Sequence, residues 1–220
     1  MTLQRHRRRF ESLPAERLDA WRGRPPAVIS DCLNRGRTMA AAIKPLAPGT
    51  RLLGQARTVA GMVGDNSAAH AAIAIARPGE VLVIDARGYE DAAVWGGIMT
   101  RAAIARGLAG VVVDGAVRDV AEIRASGFPC FARAAVPAGP HKGFGGVIDG
   151  PVSCGGCPVR PGDLIVGDDD GIVVVPLERE AAVLEAVARQ MAREKALEDG
   201  IAEGVLPAEQ MGIATPDWLD

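Results

Sequence analysis

No stretch of this 220-residue chain is apolar for long enough to span a bilayer. A basic cluster, Arg5-His6-Arg7-Arg8-Arg9, stands near the start, but no apolar run follows it, which excludes an ordinary secretory signal. The reading is a cytoplasmic protein with no membrane partner. Net charge is nearly absent too: the formal value is −2, which argues against nucleic acid as the main partner. Cysteine is sparse. Of the four, Cys154 and Cys157 form a CxxC, but no second pair or spaced histidine completes a zinc set, so small buried residues in a turn are the better reading. The three histidines, His6, His70 and His141, make no metal cluster. Lysine is scarce as well. Lys44 precedes a proline in a turn and Lys195 lies on a charged helix, so only Lys142, in a glycine-rich loop, is placed to touch a substrate. Imine chemistry is therefore disfavoured. Internal repeats and low-complexity linkers are missing.

What is present is an ordinary globular composition, 48% hydrophobic and 24% charged, with length for one good core. Residues 1–24 read as an N-terminal arm with a short helix, and residues 25–220 as a single α/β domain including a C-terminal helix and tail. A second helix is expected over 28–36, capped by Ser30. Leu52–Val63 reads as β structure, and Asp65-Asn66-Ser67 caps an alanine-rich helix. Val81–Asp85, Ala109–Val113 and Pro129–Arg133 read as buried strands separated by helices over 97–106 and 119–125. The strand, helix and strand over 81–113 form a right-handed βαβ unit, so its two strands are parallel. Short strands follow to Val175, with a hairpin around Gly167–Gly171, and a long amphipathic helix covers 177–202.

Parallel strands place their C-terminal ends on one edge, where ligands bind in such sheets. One strand leads to Trp95-Gly96-Gly97-Ile98-Met99 and the next to Arg118-Asp119, so both pieces are expected at that edge. Gly96 and Gly97 open a helix whose free amides suit a carboxylate. Arg118 offers a planar fork of donors to a carboxylate or enolate oxygen. Asp119 offers hard oxygen to Mg²⁺ or Mn²⁺, and Glu122, one turn on, is placed to hold a water on that ion. Separately, a Gly-Gly pair is usually a turn and Arg-Asp a solvated pair; together at one edge they point to a pocket for a small anion and a metal.

Trp95-Gly96-Gly97-Ile98-Met99 and Val112-Val113-Asp114-Gly115-Ala116-Val117-Arg118-Asp119 resemble the RraA-like family. Its members include class II 4-hydroxy-4-methyl-2-oxoglutarate/4-carboxy-4-hydroxy-2-oxoadipate aldolases and regulators of RNase E activity. Gly64-Asp65-Asn66 and the run Pro161–Gly171 also match, so the resemblance covers roughly residues 28–200. It implies a swivelling β/β/α fold with a long C-terminal helix, homotrimers or hexamers, and an active site between subunits. It implies that Gly96, Gly97, Ile98, Met99 and Arg118 hold a pyruvyl group and that Asp119 binds the metal. Glu194 is the candidate for a catalytic carboxylate that a neighbouring subunit's C-terminal helix brings to the site. One position departs from the pattern: active members commonly carry an aspartate, thought to assist proton transfer, where this chain has Gly97. Glu90, Asp91 and Asp114 are the other acids near that edge.

The expected activity is metal-dependent cleavage of a 4-hydroxy-2-oxo acid to pyruvate through an enolate stabilised by the ion and Arg118, with oxaloacetate decarboxylation as a side reaction. A non-catalytic regulator that binds a protein partner, or a lyase on another oxo acid, are the alternatives. An adenosylmethionine-dependent methyltransferase is rejected, because no glycine-rich cofactor loop followed by an acidic strand end is present.

Overall fold

A computed structural model describes residues 2–7 and 10–218; Arg8 and Arg9 of the basic cluster lie outside the described residues. The strands are β1 (Leu3–Arg5), β2 (Lys44–Pro45), β3 (Leu52–Gly61), β4 (Glu80–Trp95), β5 (Gly110–Val117), β6 (Cys130–Ala135), β7 (Gly146–Ile148), β8 (Val152–Cys154), β9 (Cys157–Val159), β10 (Leu164–Asp168) and β11 (Gly171–Val175). The helices are α1 (Ala15–Asp19), α2 (Pro26–Cys32), α3 (Ser67–Ile75), α4 (Gly97–Ala105), α5 (Val120–Ser126), α6 (Glu180–Ala202) and α7 (Pro207–Gln210).

Strands β3, β4, β5 and β6 run parallel in that order, as the buried apolar runs and intervening helices require. The first half of β3 pairs antiparallel with β10 and its second half with β7. The β10–β11 hairpin curls back toward the other edge: Thr38 bridges Val173, and the Met39 amide donates to the Ile172 carbonyl at 3.0 Å. One apolar cluster lies between the sheet and α3–α5, including Ile84, Trp95 and Ile123. A second gathers around Phe131, Ile165 and Val174, with the alternate strand residues Val81, Val83 and Val112. A third joins β10 and β11 to α2 and α6.

Two local expectations change. Ser30 is not a cap; α2 begins at Pro26, because a proline ring suits a first helical turn that needs no amide donor. The strand expected over Val81–Asp85 runs on to Trp95, and register shifts after Asp85, Tyr89 and Ala93 absorb its surplus residues against the shorter β5. The N-terminal segment is woven into the domain: β1 pairs parallel with β7, and Trp21 is buried in the third cluster. The CxxC brackets the two-residue turn of the β8–β9 hairpin with both thiols buried. Burial pushes the Cys157 thiol up to about 11.

Candidate active site at the ends of β4 and β5

Trp95 pairs with Val117, so β4 and β5 end side by side. The Arg118 amide donates to the Trp95 carbonyl at 2.9 Å, which locks the two ends together. Trp95 anchors the turn beneath them. Its indole N–H donates to the Thr100 hydroxyl at 2.9 Å, and its ring stacks on Phe128. Asp119 has φ 59° and ψ 37°, a left-handed conformation that aspartate adopts more readily than most residues. It stands just before α5 without capping it through its side chain; instead its carboxylate Oδ2 accepts from the Gly97 amide at 2.9 Å. This hydrogen bond joins the two predicted halves of the site.

The glycines act by leaving space. A Cβ on Gly96 would stand 2.8 Å from Asp119 Oδ2 and 3.1 Å from Arg118 Cγ. A Cβ on Gly139 would stand 2.6 Å from Arg118 Nη1, so Gly139 seats the guanidinium. A Cβ on Gly97 would stand 2.6 Å from both Cδ and Oε1 of Glu122: the Glu122 carboxylate occupies the room that a residue-97 side chain would take. Glu122 is also ion-paired with Arg101.

Arg118 and Asp119 side chains are 40% and 42% exposed, with a single 3.7 Å contact between them. They border a depression of about 240 Å³ with Ala135, Val136 and Pro137. Among the described residues no donor reaches Asp119 Oδ1. The amides of Ile98 and Met99 belong to the first turn of α4 and have no intrahelical acceptor. The side chains of this loop are turned to other uses: Ile98 is 68% exposed and Met99 is buried in the core. What the loop offers a ligand is main chain.

Glu194 is not at this site within one chain. It accepts from Gln190 at 3.0 Å on α6, and its charge is felt at Cys32 on α2. Asp114 is buried and committed, accepting from Arg133 and from the Gly155 amide at 2.7 Å. Glu90 and Asp91 are exposed on the irregular part of β4. His141, Lys142 and Phe144 lie on the loop that follows Gly139, which is tied back to α3: the His141 amide donates to Gly64 at 2.7 Å, and the Phe144 amide donates to the Asp65 carboxylate. Burial raises the Asp65 carboxyl, but donors from Ser67 and Phe144 outweigh it and hold the group below its usual value. Gly139 and Arg101 are the site residues that sequence reasoning missed. Arg101 lay within reach, one helical turn beyond Gly97; Gly139 acts on a residue 21 positions away and left no local signal.

Among the described residues no group of three or more His, Cys, Asp or Glu side chains is arranged to hold a metal. The donor set is one hard carboxylate with a spare oxygen and a second acid nearby. That fits an ion such as Mg²⁺, which takes one or two carboxylates and completes its shell with water and substrate.

A family profile described as RraA-like, Aldolase/RraA, matches residues 26–174. A protein of Halalkalibacterium halodurans named "Putative 4-hydroxy-4-methyl-2-oxoglutarate aldolase" is 42% identical over 182 residues, covering 83% of this chain and 87% of its own. A 4-hydroxy-4-methyl-2-oxoglutarate aldolase of Thermus thermophilus is 33% identical over 148 residues, covering 67% of this chain and 90% of its own. The solved structure of the RNA-processing inhibitor RraA from Thermus superposes with a TM-score of 0.64 at 32% identity, over 69% of this chain and 92% of that one. The mixed α/β sheet, the long C-terminal helix and these matches agree: the chain belongs to the RraA-like family.

Proposed function

We propose that this protein is a divalent-metal-dependent lyase that cleaves a 4-hydroxy-2-oxo acid to pyruvate and a carbonyl product, with oxaloacetate decarboxylation as a side activity. The observation that supports the reading is the Gly97 amide donating to Asp119 Oδ2, which ties the N-terminus of α4 to a carboxylate that, with the half-exposed Arg118, borders one depression. The names of the aldolase relatives supply the substrate class.

Asp119 would hold Mg²⁺ or Mn²⁺, and Glu122 would reach that ion only through a water. The chemistry such an ion supplies is Lewis-acid stabilisation of the negative charge that develops on the 2-oxo group. The amides of Ile98 and Met99 receive the substrate carboxylate at the positive end of α4. Arg118, seated over Gly139, directs its donors at the oxygen that becomes an enolate. As the C4 hydroxyl loses its proton, the C3–C4 bond electrons pass to the pyruvyl fragment, and protonation at C3 completes pyruvate. Glu122 is our choice for the proton acceptor, because its carboxylate fills the space over Gly97. The acid that active relatives carry on residue 97 is then delivered from α5. Glu194 enters only from a neighbouring copy in a homotrimer or hexamer.

The test is pyruvate release from oxaloacetate and from 4-hydroxy-4-methyl-2-oxoglutarate, with Mn²⁺ or Mg²⁺ and after chelation. Turnover that requires the ion is expected. Its absence from both substrates overturns the proposal in favour of a non-catalytic regulator that binds a protein, the reading that the RNA-processing inhibitor neighbour favours.

A further inference from the structure

We propose a second ligand site, at the opposite end of the parallel strands from Arg118, for a small anion carried on an apolar body. A cavity of about 620 Å³ opens there, within the usual size of small-molecule sites. Leu52 opens β3, Gly79 precedes β4 and Ala109 precedes β5, so the cavity lies at the N-terminal ends of the strands whose other ends carry Gly96 and Arg118. Its floor is apolar, made by Leu52, Leu53, Ala109 and Val166.

Its rim is cationic: Arg22, Arg24 and Arg51 against a single lining carboxylate, Asp168. Arg51 faces Asp168 at 3.1 Å, and Arg22 faces Asp19 at 2.6 Å. Arg24 differs from both. It is half-buried, its donors reach only the Ala20 carbonyl and the Met191 sulfur, each at 3.2 Å, and among the described residues no carboxylate pairs with it. A half-buried arginine that lines the cavity and has neutral acceptors only favours an arriving anion. The floor then selects an anion with a hydrocarbon portion over a free inorganic ion. The fitting class is a carboxylate or phosphate monoester on a flat or branched apolar body.

The test uses 8-anilinonaphthalene-1-sulfonate with the full chain, followed by its fluorescence. One saturable site per chain is expected. Arg24→Gln should raise the dissociation constant about tenfold, and Arg51→Gln, at a mostly exposed position, should raise it less. Arg118→Ala should leave it unchanged. Uncharged N-phenyl-1-naphthylamine should not displace the dye. Displacement by 4-phenylbutyrate or by phenyl phosphate would identify the preferred head group. The proposal fails if binding does not saturate, if both arginine variants bind as the parent does, or if the uncharged naphthylamine competes equally. Arg51→Gln keeps the test decisive if Arg24→Gln does not fold.

Discussion

Arg57 within β3 and Arg118 just past the end of β5 both stand beside carboxylates, and they are opposites. Arg57, on β3, is almost fully buried. Its Nε and Nη2 reach Glu80 at 2.6 and 3.0 Å, and its Nη1 reaches Asp149 at 2.8 and 2.9 Å. Asp149 in turn accepts from Arg5 at 2.7 Å, and Glu80 accepts from the Arg77 amide at 3.0 Å. Every charge there has a partner, which is what buried charge requires. Arg118 has one loose contact at 3.7 Å, and Asp119 keeps one oxygen free. The same residue types make scaffold where their hydrogen bonds are used up, and make a site where some are left over.

The sharpest way to break this contrast is to remove each guanidinium in turn. Arg57→Ala leaves two buried carboxylates without their shared cation and is expected to cost about 3–5 kcal/mol of stability, read by urea unfolding. Arg118→Ala is expected to change stability by less than about 1 kcal/mol, since an exposed pair contributes little. It should nonetheless reduce pyruvate release by about 10²–10³-fold. If Arg118→Ala unfolds the protein while Arg57→Ala does not, the assignment of scaffold and site is reversed.

A smaller effect tests whether Glu122 stands in for a residue-97 acid. Gly97 lies in ordinary helical backbone, absent from the positive-φ glycines, so alanine there meets no strain from φ. Its Cβ would displace only the end of the Glu122 side chain. Gly97→Ala is therefore expected to keep stability and lose about tenfold in turnover. Combining it with Glu122→Gln should add little further loss, because both changes act on one carboxylate. Fully multiplicative losses in steady-state assays would separate the two residues.

Much of this was legible in the sequence. Buried apolar runs gave the parallel strands, and two strand ends followed by Gly-Gly and Arg-Asp gave the edge where they meet, because connectivity alone fixes that geometry. The Asp119–Gly97 hydrogen bond spans 22 positions, yet the parallel pairing of the βαβ strands already brought its ends together. Other contacts had no such guide. Arg57 joins Glu80 and Asp149 across 23 and 92 positions, through strands whose pairing depends on where β7 lands. The extension of β4 to Trp95 was hidden because its bulged segment breaks the apolar run with Arg87, Glu90 and Asp91. Pro25-Pro26 marked the start of α2 more clearly than Ser30 did, a signal present but outweighed by capping preference.

The smallest effect concerns like charge. The Arg57 network balances two cations with two anions, whereas His70 on α3 has Lys142 as its charged neighbour. Burial disfavours protonation of His70, and Lys142 adds to it, so its pKa lies below the usual 6.5. The folded state then binds this proton less readily than the unfolded chain. The stabilising contribution is present above the unfolded value and is lost as pH falls through the folded one. An NMR titration of the His70 ring should give a midpoint under 6.5. Lys142→Gln removes the repulsion but leaves the burial, so the midpoint should rise part of the way. A parent midpoint at or above the ordinary histidine value would mean that an anion faces the His70 ring, and the contrast between the balanced Arg57 network and this unbalanced cationic pair would no longer hold.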